Sequence, residues 1–157
     1  MPGFVPRPGD GDKHLFFYGT LLDEDVQARV LGRALPHNNR IPAVLRHFRA
    51  VYIAGQVYPM LLPHRGGGVE GVVAIGLNRD DLTRIAIYEG DDYRCERHQV
   101  IANESNTALS VWLYRGQPNL RPSNRPWQLA IWQTKHKAMY LRAFDAALRD
   151  VARNRLS

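Results

Sequence analysis

Two short segments of this 157-residue chain hold residue types that could do chemistry. The first is Tyr18-Gly19-Thr20-Leu21, between a predicted strand and a predicted helix. Its glycine lets the backbone turn sharply, so successive N–H groups can converge on one spot near a helix N-terminus. Such a spot binds an anion or an oxyanion without side chains. Read alone, the four residues fit an ordinary strand-to-helix turn better. The second segment is Ile87-Tyr88-Glu89-Gly90-Asp91-Asp92-Tyr93, where a helix ends and a strand begins. A carboxylate at a helix C-terminus is electrostatically disfavoured. Burial would lift the pKa of Glu89 further, toward the range useful for proton transfer. An exposed turn glutamate beside Asp91 and Asp92 is the competing reading.

The elements that must position these groups follow from local pattern. Residues 15–18 are a short apolar run, read as a buried strand. Asp23 stands at an N-cap with Glu24 and Asp25 in the first turn; Val26, Val30 and Leu31 share one face, and Gly32 stops the helix. Residues 43–53 are extended with a bend, and 58–63 are a Pro-punctuated loop or edge segment. His64-Arg65-Gly66-Gly67-Gly68 reads as a turn, and 69–77 as a strand. Asn78 caps a helix over about residues 79–88, with Asp80 and Asp81 in its first turn. Two strands, 93–102 and 108–114, are joined through the polar turn Asn103-Glu104-Ser105-Asn106. Five strands and two short helices make an α+β domain, built as a small curled sheet or barrel.

Beyond Arg115-Gly116, residues 117–125 read as a Pro- and Arg-rich linker, followed by one long helix with Pro126 in its first turn. Trp127, Ile131, Ala138, Leu141, Phe144, Leu148 and Val151 recur at three- and four-residue steps as its apolar stripe. The expected division is a flexible leader over 1–13, a domain over 14–115, and a linker with a basic amphipathic helix over 116–157. That helix packs on the domain or on a partner subunit, which leaves a homodimer open.

Charge and composition narrow the function classes. The net charge of +6 is uneven: residues 1–114 carry 12 Lys/Arg against 13 Asp/Glu, and residues 115–157 carry nine against two. The basic C-terminal face reads as a solvated helix face rather than a nucleic-acid or membrane surface. No apolar run reaches the length of a membrane span or a signal peptide, so the expected compartment is the cytoplasm. A single cysteine, Cys95, excludes an internal disulfide and reads as a packing residue. The six histidines show no metal-ligand spacing, and Gly66-Gly67-Gly68 lacks the Lys-Ser/Thr of a phosphate loop. Neither a metal nor a cofactor is expected.

Order and spacing together say more than either segment alone. Phe16-Phe17-Tyr18-Gly19-Thr20-Leu21, Asp25-Val26, Val30-Leu31-Gly32, Tyr58-Pro59 and Val69-Glu70-Gly71 occur in one series. Tyr88-Glu89-Gly90, Tyr93-Arg94 and Trp112-Leu113-Tyr114 continue it. The series resembles the γ-glutamylcyclotransferase-like proteins, in the branch related to plant avirulence-induced proteins, over residues 14–115. The resemblance implies a mixed barrel with one cavity and a small γ-glutamyl substrate. Tyr18, Gly19, Thr20 and Leu21 would hold the amino-acid end of the γ-glutamyl group, with Tyr93 on the cavity wall and Glu89 as the acid/base. The implied reaction forms 5-oxoproline and frees an amine or amino acid. One departure stands out. The family commonly has Leu-Asp before its Tyr/Phe-Glu-Gly segment, whereas this chain reads Ile85-Ala86-Ile87. Ala86 favours the rival reading, a non-catalytic small-molecule-binding or interaction module on the same fold; Glu89 opposes it.

Overall fold

The computed structural model describes residues 14–156. The leader read over residues 1–13 lies outside them. Six strands and four helices follow in chain order: β1 Leu15–Phe17, α1 Glu24–Leu31, β2 Arg40–Ile53, β3 Pro59–Ala74, α2 Arg79–Glu89, β4 Tyr93–Ala102, β5 Ala108–Gly116, β6 Pro122–Pro126, α3 Leu129–Lys135 and α4 Lys137–Leu156. Single 3-10 turns precede α1, at Thr20–Leu22, and β2, at His37–Asn39.

Strand order β3-β1-β5-β4-β2, with β2 returning to pair β3, closes a five-stranded barrel. Only β1–β5 is parallel. Closure leaves no free edge on those five strands. Alternate side chains point in and out along each strand. Phe16, Leu45, Leu61, Val73, Val100, Val111 and Leu113, drawn from all five strands, form one buried cluster that fills the barrel. The flanking residues Leu15 and Phe17 belong instead to a second cluster shared with the helices. At the β1–β3 seam a Cβ on Gly71 would lie 2.2 Å from the Phe17 carbonyl oxygen, so only glycine allows the strands this close. The seam carries the chain directly into Tyr18.

The local caps are as the pattern predicts. Asp23 accepts hydrogen bonds from the N–H groups of Asp25 and Val26, at 2.9 and 3.1 Å, and Gly32 ends α1 with a φ of 80°. Asn78 and Asp81 form a reciprocal capping box on α2. Asp81 also takes two bonds from the Arg33 guanidinium, which holds its carboxyl below the usual range and ties α1 to α2.

Three expectations are corrected. Residues 59–63 of the segment read as a loop or edge, and the turn read at 64–68, belong to one strand, β3, paired with β2 on both sides of a bulge. His47 and Gly66 take positive φ at that bulge, and the Gly66 N–H donates to His47 Nδ1. Glycines at positive φ look alike in a bulge and a hairpin; here the long-range pairing decides. Likewise, the linker read over 117–125 contains most of β6, which pairs with β2, and Pro126 ends that strand instead of starting a helix.

The third correction concerns the C-terminal helix. It is two helices, interrupted at His136. The stripe read through it holds only in part, since Leu141 and Phe144 pack against the core and several other members do not. Ile131, Leu148 and Val151 are exposed. Trp132 is fully buried, and Tyr140, Leu141 and Phe144 pack against the same core. Charge fixes this segment to α1. Lys137 Nζ lies 2.9 Å from Asp23 and 2.7 Å from Asp25, Gln133 donates to Asp23 at 3.0 Å, and Arg29 makes two bonds to Asp145. Burial works against a charged Asp23. The bonds from Lys137, Gln133 and the Val26 N–H outweigh it and hold the carboxyl below its ordinary pKa. Among the described residues no helix is long and apolar enough to cross a membrane.

Candidate active site

Beyond β1 the chain makes one tight turn. The N–H groups of Leu22 and Asp23 close it on the carbonyls of Gly19 and Thr20, at 3.0 Å each. A turn of this kind leaves its first N–H groups, those of Thr20 and Leu21, without an internal partner. Tyr18 anchors the turn by donating its hydroxyl to the Tyr114 carbonyl. Space at Gly19 is tight: a Cβ there would meet Pro59 Cγ at 3.0 Å, so the proline ring would have to give by a few tenths of an ångström.

Glu89 is the last residue of α2. Gly90 follows with a φ of 67° and donates its N–H to the Ala86 carbonyl at 3.1 Å. The backbone therefore holds this turn, with a buried alanine at position 86. The side chain of Glu89 is half-buried, and no hydrogen bond or ion pair engages it among the described residues. Burial pushes its carboxyl up to about 8, and its place at a helix C-terminus acts in the same direction. The group can both take and give a proton near neutral pH.

Tyr18, Gly19, Thr20, Leu21, Glu89 and Tyr93 all line one cavity of about 230 Å3. Tyr93 builds the wall, donating its hydroxyl to the Pro59 carbonyl. Arg94, next to it, does not reach the cavity; it pairs with Glu96 at 3.4 Å. Burial pushes the Cys95 thiol up to about 12, which disfavours the thiolate.

Sequence reasoning missed Tyr58, Asp92, Tyr114 and Tyr140 as lining residues. Tyr140 comes from α4, and its hydroxyl meets that of Tyr88, which in turn lies 2.7 Å from Thr20 Oγ1. This hydroxyl chain joins α4, the end of α2 and the 18–21 turn. Nothing local in the sequence marks Tyr140, since its partner is 52 residues upstream. Tyr88 carried a signal in its adjacency to Glu89.

The five-stranded barrel is a fold shared with solved structures. A solution structure from Arabidopsis thaliana superposes with a TM-score of 0.61 at 24% identity, covering 87% of this chain and 81% of that one. A gamma-glutamyl cyclotransferase superposes with a TM-score of 0.53 at 19% identity, covering 71% and 72%. Residues 15–133 match the family described as gamma-glutamyl cyclotransferase, AIG2-like, and the chain belongs to that family. Among curated proteins, AIG2-like protein D of Arabidopsis thaliana is 30% identical over 82% of this chain and 84% of its own length. AIG2-like protein B of the same plant is 26% identical over 83% and 75%.

Proposed function

We propose that this protein cyclises a γ-glutamyl amine or γ-glutamyl amino acid to 5-oxoproline and releases the free amine. The observation that carries the reading is Glu89: a carboxylate without an ion-pair partner among the described residues, raised by burial, on the wall shared with the 18–21 turn. A γ-glutamyl amide holds its own nucleophile, the α-amine, placed to close a five-membered ring on the γ-carbonyl carbon. Glu89 takes a proton from the α-ammonium, and the nitrogen attacks. The oxyanion that forms is held by the N–H groups of the turn. Glu89 then gives that proton to the departing nitrogen as the old C–N bond breaks, and takes the second proton from the ring nitrogen, which passes to the released amine. No water is consumed. Because the attack is intramolecular, folding the substrate chain supplies much of the acceleration.

The turn also suits the substrate's α-carboxylate, because among the described residues no Lys or Arg lines the cavity and the N–H groups of Thr20 and Leu21 are open. A base must be ionised to act. The kcat/KM for 5-oxoproline release should therefore rise about tenfold per pH unit from pH 6 and flatten near 8. A profile that flattens near 4.5, where an ordinary glutamate titrates, would remove Glu89 from this role.

A further inference from the structure

We propose that Tyr140 is a positioning residue for the reaction. Acting through the Tyr88 hydroxyl, it holds Thr20 and aims the N–H groups of the 18–21 turn at the glutamyl half of the substrate. The inference rests on the cyclisation reading and adds to it an element from outside the family-matched segment, residues 15–133. Thr20 is buried, and its Oγ1 lies 2.7 Å from the Tyr88 hydroxyl. That hydroxyl in turn bonds the hydroxyl of Tyr140, and all three residues line the cavity. A hydroxyl donates one proton and can accept another, so Tyr88 serves both neighbours at once. Bonds linked in this way strengthen one another, and removing the Tyr140 end weakens the hold on Thr20.

The helix that carries Tyr140 is itself fixed beside the turn. Lys137 bridges Asp23 and Asp25, Gln133 donates to Asp23, and Arg29 bonds Asp145. These ties reach residues 23–29, which directly follow the turn. The Tyr140 ring stands edge-on to Trp132 at 5.4 Å, and the Tyr88 ring lies 6.0 Å from Phe144. Packing therefore holds both rings, and what the Tyr140 hydroxyl adds is the link to Thr20. Burial raises the Tyr88 and Tyr140 phenols above their ordinary pKa, so both stay protonated through the range in which Glu89 titrates. The Glu89 carboxyl is raised by burial and not by either phenol, so the chain of hydroxyls acts on the turn and leaves the acid/base alone.

The test is Tyr140→Phe in the full chain, which keeps the ring and removes the hydroxyl. The kcat/KM for 5-oxoproline release should fall about tenfold, with the Tm within about 3 °C of native. The pH profile should still flatten near 8, because Glu89 is untouched. Tyr88→Phe cuts the same chain in its middle. Adding Tyr140→Phe to it should change kcat/KM by less than about twofold, whereas independent contacts would multiply their losses. Binding is read separately, by calorimetry of γ-glutamyl methylamide with Glu89→Gln, which leaves the ligand whole and probes the glutamyl half. Tyr140→Phe should weaken that binding about threefold, and no further once Tyr88→Phe is present. Native kinetics in Tyr140→Phe, losses that multiply, or a larger fall in Tm overturn the inference and leave cyclisation standing. If the native protein forms no 5-oxoproline, cyclisation fails instead, and calorimetry decides. Weaker binding in Tyr140→Phe, matched in the double variant, then upholds the positioning role; equal or absent binding rejects it.

Discussion

Glu89→Gln should abolish turnover and, in the same molecule, raise stability. Glutamine keeps the shape of a protonated glutamate but can neither accept nor return a proton. Loss of a positioned acid/base typically costs about 10²- to 10⁴-fold in rate. The stability gain comes from the burial that makes Glu89 useful. Its folded-state pKa, about 8, lies above the ordinary 4.5. The folded protein therefore keeps a proton that the unfolded chain releases, and native stability falls as pH rises from 4.5 to 8. At about 1.4 kcal/mol per pH unit, the loss is on the order of 3 kcal/mol by pH 7. Glutamine does not suffer it. Denaturant unfolding should show the variant and the native protein alike at pH 4, with the gap widening toward pH 8. A variant that is less stable at pH 7, or that still turns over, contradicts both halves.

Trp132→Ala should be the most damaging single change to the fold. Trp132 is fully buried, with ring neighbours Trp127 at 6.5 Å and Tyr140 at 5.4 Å. Truncating a buried aromatic costs about 3–5 kcal/mol. At this chain length that lowers the Tm by roughly 10 °C. The damage should also reach the cavity, because Tyr140 stands edge-on against Trp132 and would lose its support. KM should rise in the alanine variant. Trp132→Phe restores a ring, and the Trp132 Nε1 has no hydrogen bond to lose; it should recover most of the Tm. If Trp132→Ala melts within a few degrees of the native protein, the C-terminal helices do not hold the core as the packing indicates.

The parts of this molecule legible in its sequence are those decided within a few residues. Asp23 and Asn78 cap their helices because each side-chain oxygen reaches N–H groups two or three residues on. Gly32 ends α1, and the β4–β5 hairpin turns where its polar residues fall. The small mixed barrel with a long terminal helix was legible from the strand count and from the resemblance. The failures share one cause. His64–Gly68 looks like a turn until β2 pairs across it, and residues 122–126 look like linker until they pair with β2. Asp23 shows both sides: its cap is local and legible, whereas its bonds to Gln133 and Lys137 come from more than a hundred residues away.

The candidate site divides the same way. The 18–21 turn and Glu89 sit at element boundaries that local pattern marks. Tyr140 does not, because its partners, Tyr88 and the 18–21 turn, lie far away in sequence. The cavity therefore draws one wall residue from beyond residues 15–133, the segment matched to the family.

The central claim is that the substrate's own amine, and not water, attacks the γ-carbonyl. The most direct measurement is turnover of a γ-glutamyl amine in water enriched in oxygen-18, with products resolved by mass spectrometry. The account predicts 5-oxoproline free of label, formed in step with the released amine, and none of it with Glu89→Gln. Labelled glutamate would show hydrolysis, and binding without either product would show a cavity that recognises the ligand and does no chemistry.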